Sequence, residues 1–403
     1  MQKRILVIGE PSVDHIFTLS PKAKRFMAME EGMWELTPES YFCFIMEREG
    51  RKMIGKIEVG KKWPGKTLML AEKNTLTKHD ADLFSAVPFD KGKWDMMLRD
   101  RHAIPAEEHI RQMGGPAKNT IETVAKIDSD LLAIPQTQFT CLFLGGFDPA
   151  TQAYMETMKG IGSASSRMTT AWLLDEMWAT HEAFSFVLPK AFRTLIRYQG
   201  NRRSFDPLLV HEWFKENREE TLRQDAVLIS SLKNIDLICE CATFLREYHG
   251  KVIVAPTNDM LQKAPEETRD IIHGADILIC NLEEICVLLR EKYHNRITPR
   301  EQEILVRKAL LDFDLGRIYV SNGPEDSWTG EKEIDGRIRL TRCSVEKVPC
   351  ASNVNAGDIW SGAILAQELQ GHQENTQILR WANAYTGFRL LGTPVSLMVE
   401  ETV

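Results

Sequence analysis

No apolar run in this chain of 403 residues approaches the length of a membrane span, so no segment reads as a transmembrane helix. Met1-Gln2-Lys3-Arg4 leads straight into Ile5-Leu6-Val7-Ile8, which is too short for a signal core and is closed by Gly9-Glu10-Pro11. Neither sign of charge dominates. The 50 Lys and Arg and 57 Asp and Glu residues are well mixed and leave a net charge of −7, which points away from nucleic acid or a membrane surface as partner. Close cysteine pairs are also scarce. Among eight cysteines only Cys239-Glu240-Cys241 forms one, and no second pair stands near it to complete a zinc site. Reduced thiols and a cytoplasmic location are expected. Internal repeats and low-complexity tracts are missing as well.

What is present is a hydrophobic content of 43%, enough for a large core in one big α/β domain or in two domains. Short, nearly continuous apolar runs recur at Ile5–Ile8, Cys141–Leu144, Ala226–Ile229, Val252–Ala255, Ile277–Cys280 and Ile318–Ser321. Such runs suit strands buried on both faces of a parallel sheet. Helical periods lie between them, at Thr120–Ile127, Glu267–His273 and Pro299–Asp312. The alternation predicts an α/β fold with a mainly parallel sheet and right-handed crossovers. Ligands in such folds bind beyond the carboxyl ends of the strands, where Gly9–Asp14, Asn281–Glu284, Asn322-Gly323 and Asn355–Asp358 would lie.

Residues 19–110 break the pattern. They hold an expected hairpin, Tyr41–Glu47 with Lys52–Val59, turning at Glu49-Gly50, inside a charged segment that carries Trp63, Phe84, Phe89 and Trp94. This segment reads as a subdomain inserted between a core of 1–18 and 111–403. The charged stretch Glu212–Arg223 reads as a solvated helix face.

The most informative feature is Asn355-Ala356-Gly357-Asp358, ahead of the apolar stretch Ile359–Ala366. It reads as a small-residue turn that opens a helix. The first N–H groups of a helix lack internal partners and its dipole makes that end electropositive, so a phosphate is welcome there. A carboxylate beside such a site is out of place unless it accepts a proton from an attacking hydroxyl. Ordinary capping is the bland alternative.

Further motifs stand in a fixed order. They are Val7–Asp14, Gly114-Gly115-Pro116-Ala117-Lys118-Asn119, Phe184–Leu188 with Arg193–Tyr198 and Gly200-Asn201, Asn281-Leu282-Glu283-Glu284, Val320-Ser321-Asn322-Gly323, Asn355–Asp358 and Trp381-Ala382-Asn383-Ala384. Together they resemble the ribokinase-like (PfkB) carbohydrate kinase family, whose members phosphorylate a hydroxymethyl group of a sugar, nucleoside or related alcohol. The resemblance implies a three-layer α/β/α core with an enlarged β-containing lid, and ATP and Mg²⁺ as donor and cofactor. It implies Asp358 as the base, with the N–H groups of Asn355, Ala356, Gly357 and Asp358 as an anion hole. Asp14, Gly114, Gly115 and Asn119 would bind the acceptor. Asn281, Glu284, Ser321, Gly323 and Asn383 would bind nucleotide, with Glu284 on the metal through water. Asp14 reads otherwise as a turn cap, Asn119 as a helix cap, and Asn281 with Glu284 as strand-end and helix-start residues.

The sequence departs from the family in three places. The usual Asp-Thr-Thr lead is Ser352-Asn353-Val354, which puts monovalent-cation dependence in doubt. The first anion-hole glycine is Asn355, which still tolerates a left-handed backbone. The insert is oversized, making it an enlarged lid or a dimerisation element. The partner expected is a small sugar or nucleoside, the sugar favoured by family breadth. A ligand-binding relative without catalysis, using the insert as an interaction surface, is the alternative of another class.

Gly60-Lys61-Lys62-Trp63-Pro64-Gly65-Lys66-Thr67 also satisfies the P-loop pattern. Lys56-Ile57-Glu58-Val59 before it alternates like an exposed edge, and Pro64 removes an N–H that should cradle phosphate. It is not expected to bind nucleotide.

Overall fold

The structure, a computed structural model, describes residues 3–19, 33–35, 41–48, 51–58, 68–70, 104–131, 137–165, 168–176, 178, 180–188, 192–198, 205–293, 297–348, 355–371 and 374–391. Its strands are β1 (Lys3–Gly9), β2 (Ser12–Leu19), β3 (Met33–Glu35), β4 (Tyr41–Arg48), β5 (Arg51–Glu58), β6 (Leu68–Leu70), β7 (Ile104–Gly114), β8 (Thr137–Gly146), β9 (Met168–Asp175), β10 (His181–Leu188), β11 (Phe192–Tyr198), β12 (Ala226–Ser230), β13 (Lys251–Ala255), β14 (Ile277–Asn281), β15 (Arg317–Ser321), β16 (Ser327–Lys332) and β17 (Ile338–Cys343). The described helices are α1 (Pro116–Leu131), α2 (Pro149–Ser165), α3 (Pro207–Glu216), α4 (Arg218–Leu222), α5 (Ile235–Leu245), α6 (Asn258–Lys263), α7 (Pro265–His273), α8 (Leu282–Leu288), α9 (Pro299–Asp312), α10 (Ala356–Gln370) and α11 (Asn375–Leu391).

A nine-stranded sheet forms the centre in the order β17-β16-β15-β14-β13-β12-β1-β8-β9. From β9 to β15 every pairing is parallel, and β16 and β17 add an antiparallel edge. Successive side chains of a strand point to opposite faces. In β1 this sends Leu6 and Ile8 into one apolar layer, with helix residues such as Phe214, Leu237, Ile271, Ile285 and Val306. It sends Ile5 and Val7 into the other, with Ile121, Tyr154, Ile364 and Leu379. Helices therefore cover both faces. Each apolar run expected to be a strand lies within one, and the expected helices fall within α1, α7 and α9. The charged stretch forms the end of α3 and α4, with most of its side chains in solvent.

The second sheet has eight strands in the order β3-β11-β10-β2-β7-β4-β5-β6. The expected hairpin is present, with β4 antiparallel to β5 and Arg48 opposite Arg51. The described strands of the insert do not stand alone. β4 pairs with β7, β3 pairs with β11, and β2 lies between β10 and β7. The limits 18/19 and 110/111 both fall inside strands of this sheet. Gly200-Asn201, Trp63, Phe84, Phe89, Trp94, Ser352–Val354 and the P-loop-like Gly60–Thr67 lie outside the described residues. The strands on either side of Gly60–Thr67, β5 and β6, pair antiparallel. A P-loop instead leads from a buried strand into a helix.

Candidate functional site

Helix α10 is buried on nearly every side, and its first turn opens onto the carboxyl ends of β12 to β15. Asn355 starts it with φ 66° and ψ 6°, the left-handed backbone that asparagine was expected to tolerate here. No side chain caps the helix, and its first internal bond is Ile359 N–H to Asn355 O at 2.9 Å. The N–H groups of Ala356, Gly357 and Asp358 therefore have no partner within the helix. Gly357 has open space where a Cβ would stand, so an anion can approach them.

Asp358, in that first turn, accepts a bond from Asn119 Nδ2 at 2.8 Å. The contact depends on how closely α1 and α10 approach. A Cβ on Gly362 would meet Thr123 Cβ at 2.6 Å and Thr120 O at 2.8 Å. Gly362→Val is expected to lose about 1–3 kcal/mol of stability from overpacking and to pull Asn119 off Asp358. Urea unfolding measures the first effect and the rate assay below measures the second.

Asp14 lies in β2, opposite Gln112 of β7, and Ser12 Oγ donates to its Oδ1 at 3.1 Å. A side chain on Gly114 would overlap the Asp14 carboxylate, so this glycine makes room for the acid itself. Gly115 follows at φ 97°, where a Cβ would press on Glu10 O, and α1 begins at the next residue. Tyr154 of α2 is fully buried, and its hydroxyl has no partner among the described residues. Burial pushes its pKa up, and the charges of Asp14 and Asp358 add to this.

The cleft beside α10 has a volume of about 130 Å³. Its lining includes Thr120, Ser230, Thr257, Asn281, Glu284, Ser321, Gly357, Asp358 and Ser361. Among the described lining residues there is no Lys, Arg or His. Asn281 and Glu284 form a capping box at the start of α8: Asn281 N–H donates to Glu284 Oε2 and Glu284 N–H to Asn281 Oδ1, both at 2.8 Å. The bland reading of these two residues is thus fulfilled, and the same bonds fix them on the cleft wall. Burial raises the Glu284 pKa to about 8. The Asn281 bonds oppose the rise, and the charges of Glu283 and Asp358 add to it.

Two carboxyls on the wall of one cleft, Glu284 and Asp358, with no basic residue on the described wall, fit a divalent cation. Mg²⁺ keeps most of its water and needs only one or two carboxylates. Two further groups support the fit, since Ser230 Oγ and Thr257 Oγ1 are buried with no partner among the described residues. In the metal-free protein a raised acid pKa has a definite sign. Below about pH 4.5 the carboxyl is protonated in both states, and between there and about pH 8 only the unfolded chain ionises. Stability therefore falls as pH rises through that window, by up to about 1.4 kcal/mol per unit. Glu284→Gln is expected to remove this slope, as thermal unfolding at pH 5 and pH 8 would show.

Other expected site residues lie differently. Gly323 sits in the turn after β15 and is not in the described lining, whereas Ser321 is. Asn383 of α11 uses its amide to join elements: it accepts from Trp360 Nε1 at 2.9 Å and donates to Ser327 Oγ at 2.8 Å. Sequence reasoning passed over Ser230, Thr257 and Glu10. The first two could have been found, because they end or follow parallel strands. Glu10 could not, since its partners come from distant segments. A larger hollow of about 870 Å³ lies at the opposite, amino-terminal edge of the sheet. Its Arg218 and Arg223 pair with Glu247 and Glu219.

No protein-family model matches the sequence, and the comparison with curated proteins finds no match. The fold, by contrast, is shared with solved structures over almost the whole chain. A probable sugar kinase protein from Rhizobium etli CFN 42 superposes with a TM-score of 0.61 at 12% identity, covering 100% of this chain and 98% of that one. Adenosine kinase from Schistosoma mansoni, in complex with 2-fluoroadenosine, gives 0.62 at 9% identity, covering 96% and 94%. Ribokinase from Thermotoga maritima gives 0.55 at 15% identity, covering 96% and 92%. The fold is the ribokinase-like α/β fold.

Proposed function

We propose that this protein is an ATP-dependent small-molecule kinase that phosphorylates a hydroxymethyl group of a sugar, either free or within a nucleoside. The observation that carries this reading is Asp358 in the first turn of α10, beside helix N–H groups that have no partner within the helix, and held by Asn119. A base next to an anion site is what transfer of a phosphoryl group to a hydroxyl requires.

Asp14, with Ser12 and Asn119 nearby in the chain's fold, binds acceptor hydroxyls and orients one of them toward Asp358. Asp358 takes that hydroxyl's proton as the oxygen attacks. The N–H groups at the start of α10 stabilise charge building on the transferring group. Glu284, with Asn281, would hold a divalent cation through water, and a cation there would supply positive charge to offset that of the donor's phosphates. The eight-stranded sheet acts as a lid that keeps water from the acceptor and so limits wasteful hydrolysis of ATP.

The test is divalent-cation-dependent ADP release across a panel of pentoses, hexoses and nucleosides. Stimulation by one compound supports the reading and names its acceptor class. ATP binding with no stimulation by any of them would favour the non-catalytic relative.

A further inference from the structure

Two hydroxyls on the cleft wall are buried and bond to nothing among the described residues. Ser230 ends β12 and is 0% exposed; the chain then turns sharply through Ser231 at φ 57°. Thr257 follows β13. It occupies the position that would cap α6, yet its side chain makes no capping bond. A threonine there ordinarily accepts from the helix's first amides, and forgoing that contact leaves both helix and hydroxyl unsatisfied. The two belong together, because Ser230 is in register with Ala255, two residues before Thr257. A buried hydroxyl left without a partner costs about 1–3 kcal/mol, so two in one small cleft call for an occupant.

The chemistry of the wall selects that occupant. Glu284 and Asp358 line the same cleft, and no basic residue stands among the described lining. A hydrated divalent cation meets acceptors there, because carboxylate, amide and hydroxyl oxygens all accept bonds from metal-bound water. We propose that Ser230 and Thr257 hold the water shell of a divalent cation carried by Glu284, so that the cleft takes up the cation before nucleotide arrives. The inference rests on the kinase reading only for the role of Glu284, and it makes both hydroxyls positioning residues.

The full chain without nucleotide is titrated with Mn²⁺ and bound metal is followed by electron paramagnetic resonance. Wild type is compared with Ser230→Ala, Thr257→Val and Glu284→Gln, each checked for folding by circular dichroism. The expected result is saturable binding by wild type, weakened about tenfold in each hydroxyl variant and lost in Glu284→Gln. Thermal unfolding gives a second readout. Thr257→Val nearly keeps the side-chain volume and should be at least as stable as wild type without metal, yet gain less from added Mn²⁺. The proposal is overturned if wild type binds no Mn²⁺, or if both hydroxyl variants bind it as wild type does. Failure of the kinase reading shows elsewhere, as the absence of acceptor-dependent ADP release, whatever the Mn²⁺ titration gives.

Discussion

Asp358→Asn should lower acceptor-dependent turnover by about 10²–10⁴-fold while leaving the fold intact. The substitution keeps the shape of the side chain and an oxygen that can still accept from Asn119 Nδ2, now at 2.8 Å from Asp358 Oδ2. Thr120 Oγ1 donates to the main-chain carbonyl of Asp358, which the change does not touch. What is lost is the ability to take a proton. Nucleotide affinity should hold or rise, because the N–H groups of the first turn remain and a negative charge beside them has gone. The diagnostic pattern is therefore a fall in kcat with the KM for ATP nearly unchanged. A rise in KM alone would mean that Asp358 contributes only uniform binding.

Glu10→Ala should cost about 3–5 kcal/mol of stability, read from urea unfolding. Glu10 is 1% exposed and sits between β1 and β2, where the central sheet passes into the second one. Its carboxylate accepts from the backbone N–H groups of Lys233 and Asn234 at 2.5 Å, and it bonds to His181 Nε2 at 2.9 Å. Alanine would leave these buried groups without their acceptor. Burial works against the ionised carboxyl, but the His181 bond and the charges of His181 and Lys233 outweigh it and hold its pKa below the ordinary value. This contribution is present above pH 4.5 and is lost as pH falls through the lowered folded value. The variant should therefore lose less stability than wild type on acidification. His181 is the first residue of β10 and pairs with Ser12, so the acceptor KM should rise too. Glu10→Gln, which keeps an acceptor oxygen, should lose less.

The parts of the fold that could be read from sequence are those whose causes are local. Strands such as Ile277–Asn281 are unbroken apolar runs because both faces are buried. Helix Pro299–Asp312 was legible to the residue, since Thr298 and Glu301 form a capping box and Pro299 opens the first turn. Edge strands were not legible. Met168–Asp175 and Ile338–Cys343 are half exposed, so their apolar pattern is broken. The second sheet was the least visible, because β2 pairs in parallel with β10, far along the chain, and no local signal encodes that register.

The candidate site divides in the same way. The turn at Asn355 could be read because few residues tolerate its backbone, and Asp358 because a carboxylate beside a phosphate site repels that phosphate unless it has a proton to accept. Asn281 and Glu284 carried two readings, and their capping bonds show that one pair of side chains can satisfy the first while facing the cleft that the second needs. Asn383 shows the limit of motif reasoning: its amide ties Trp360 to Ser327, a partnership no spacing reveals. Ser230 and Thr257 could be placed at strand ends from sequence, but that their hydroxyls lack partners among the described residues shows only in the structure.

The most direct measurement is mass spectrometry of the acceptor panel after incubation with ATP and Mg²⁺, using wild type and Asp358→Asn side by side. A single phosphate added to one sugar or nucleoside by wild type, and essentially none by the variant, is the predicted result. Bound ATP with no phosphorylated acceptor, or equal product from both proteins, would contradict it.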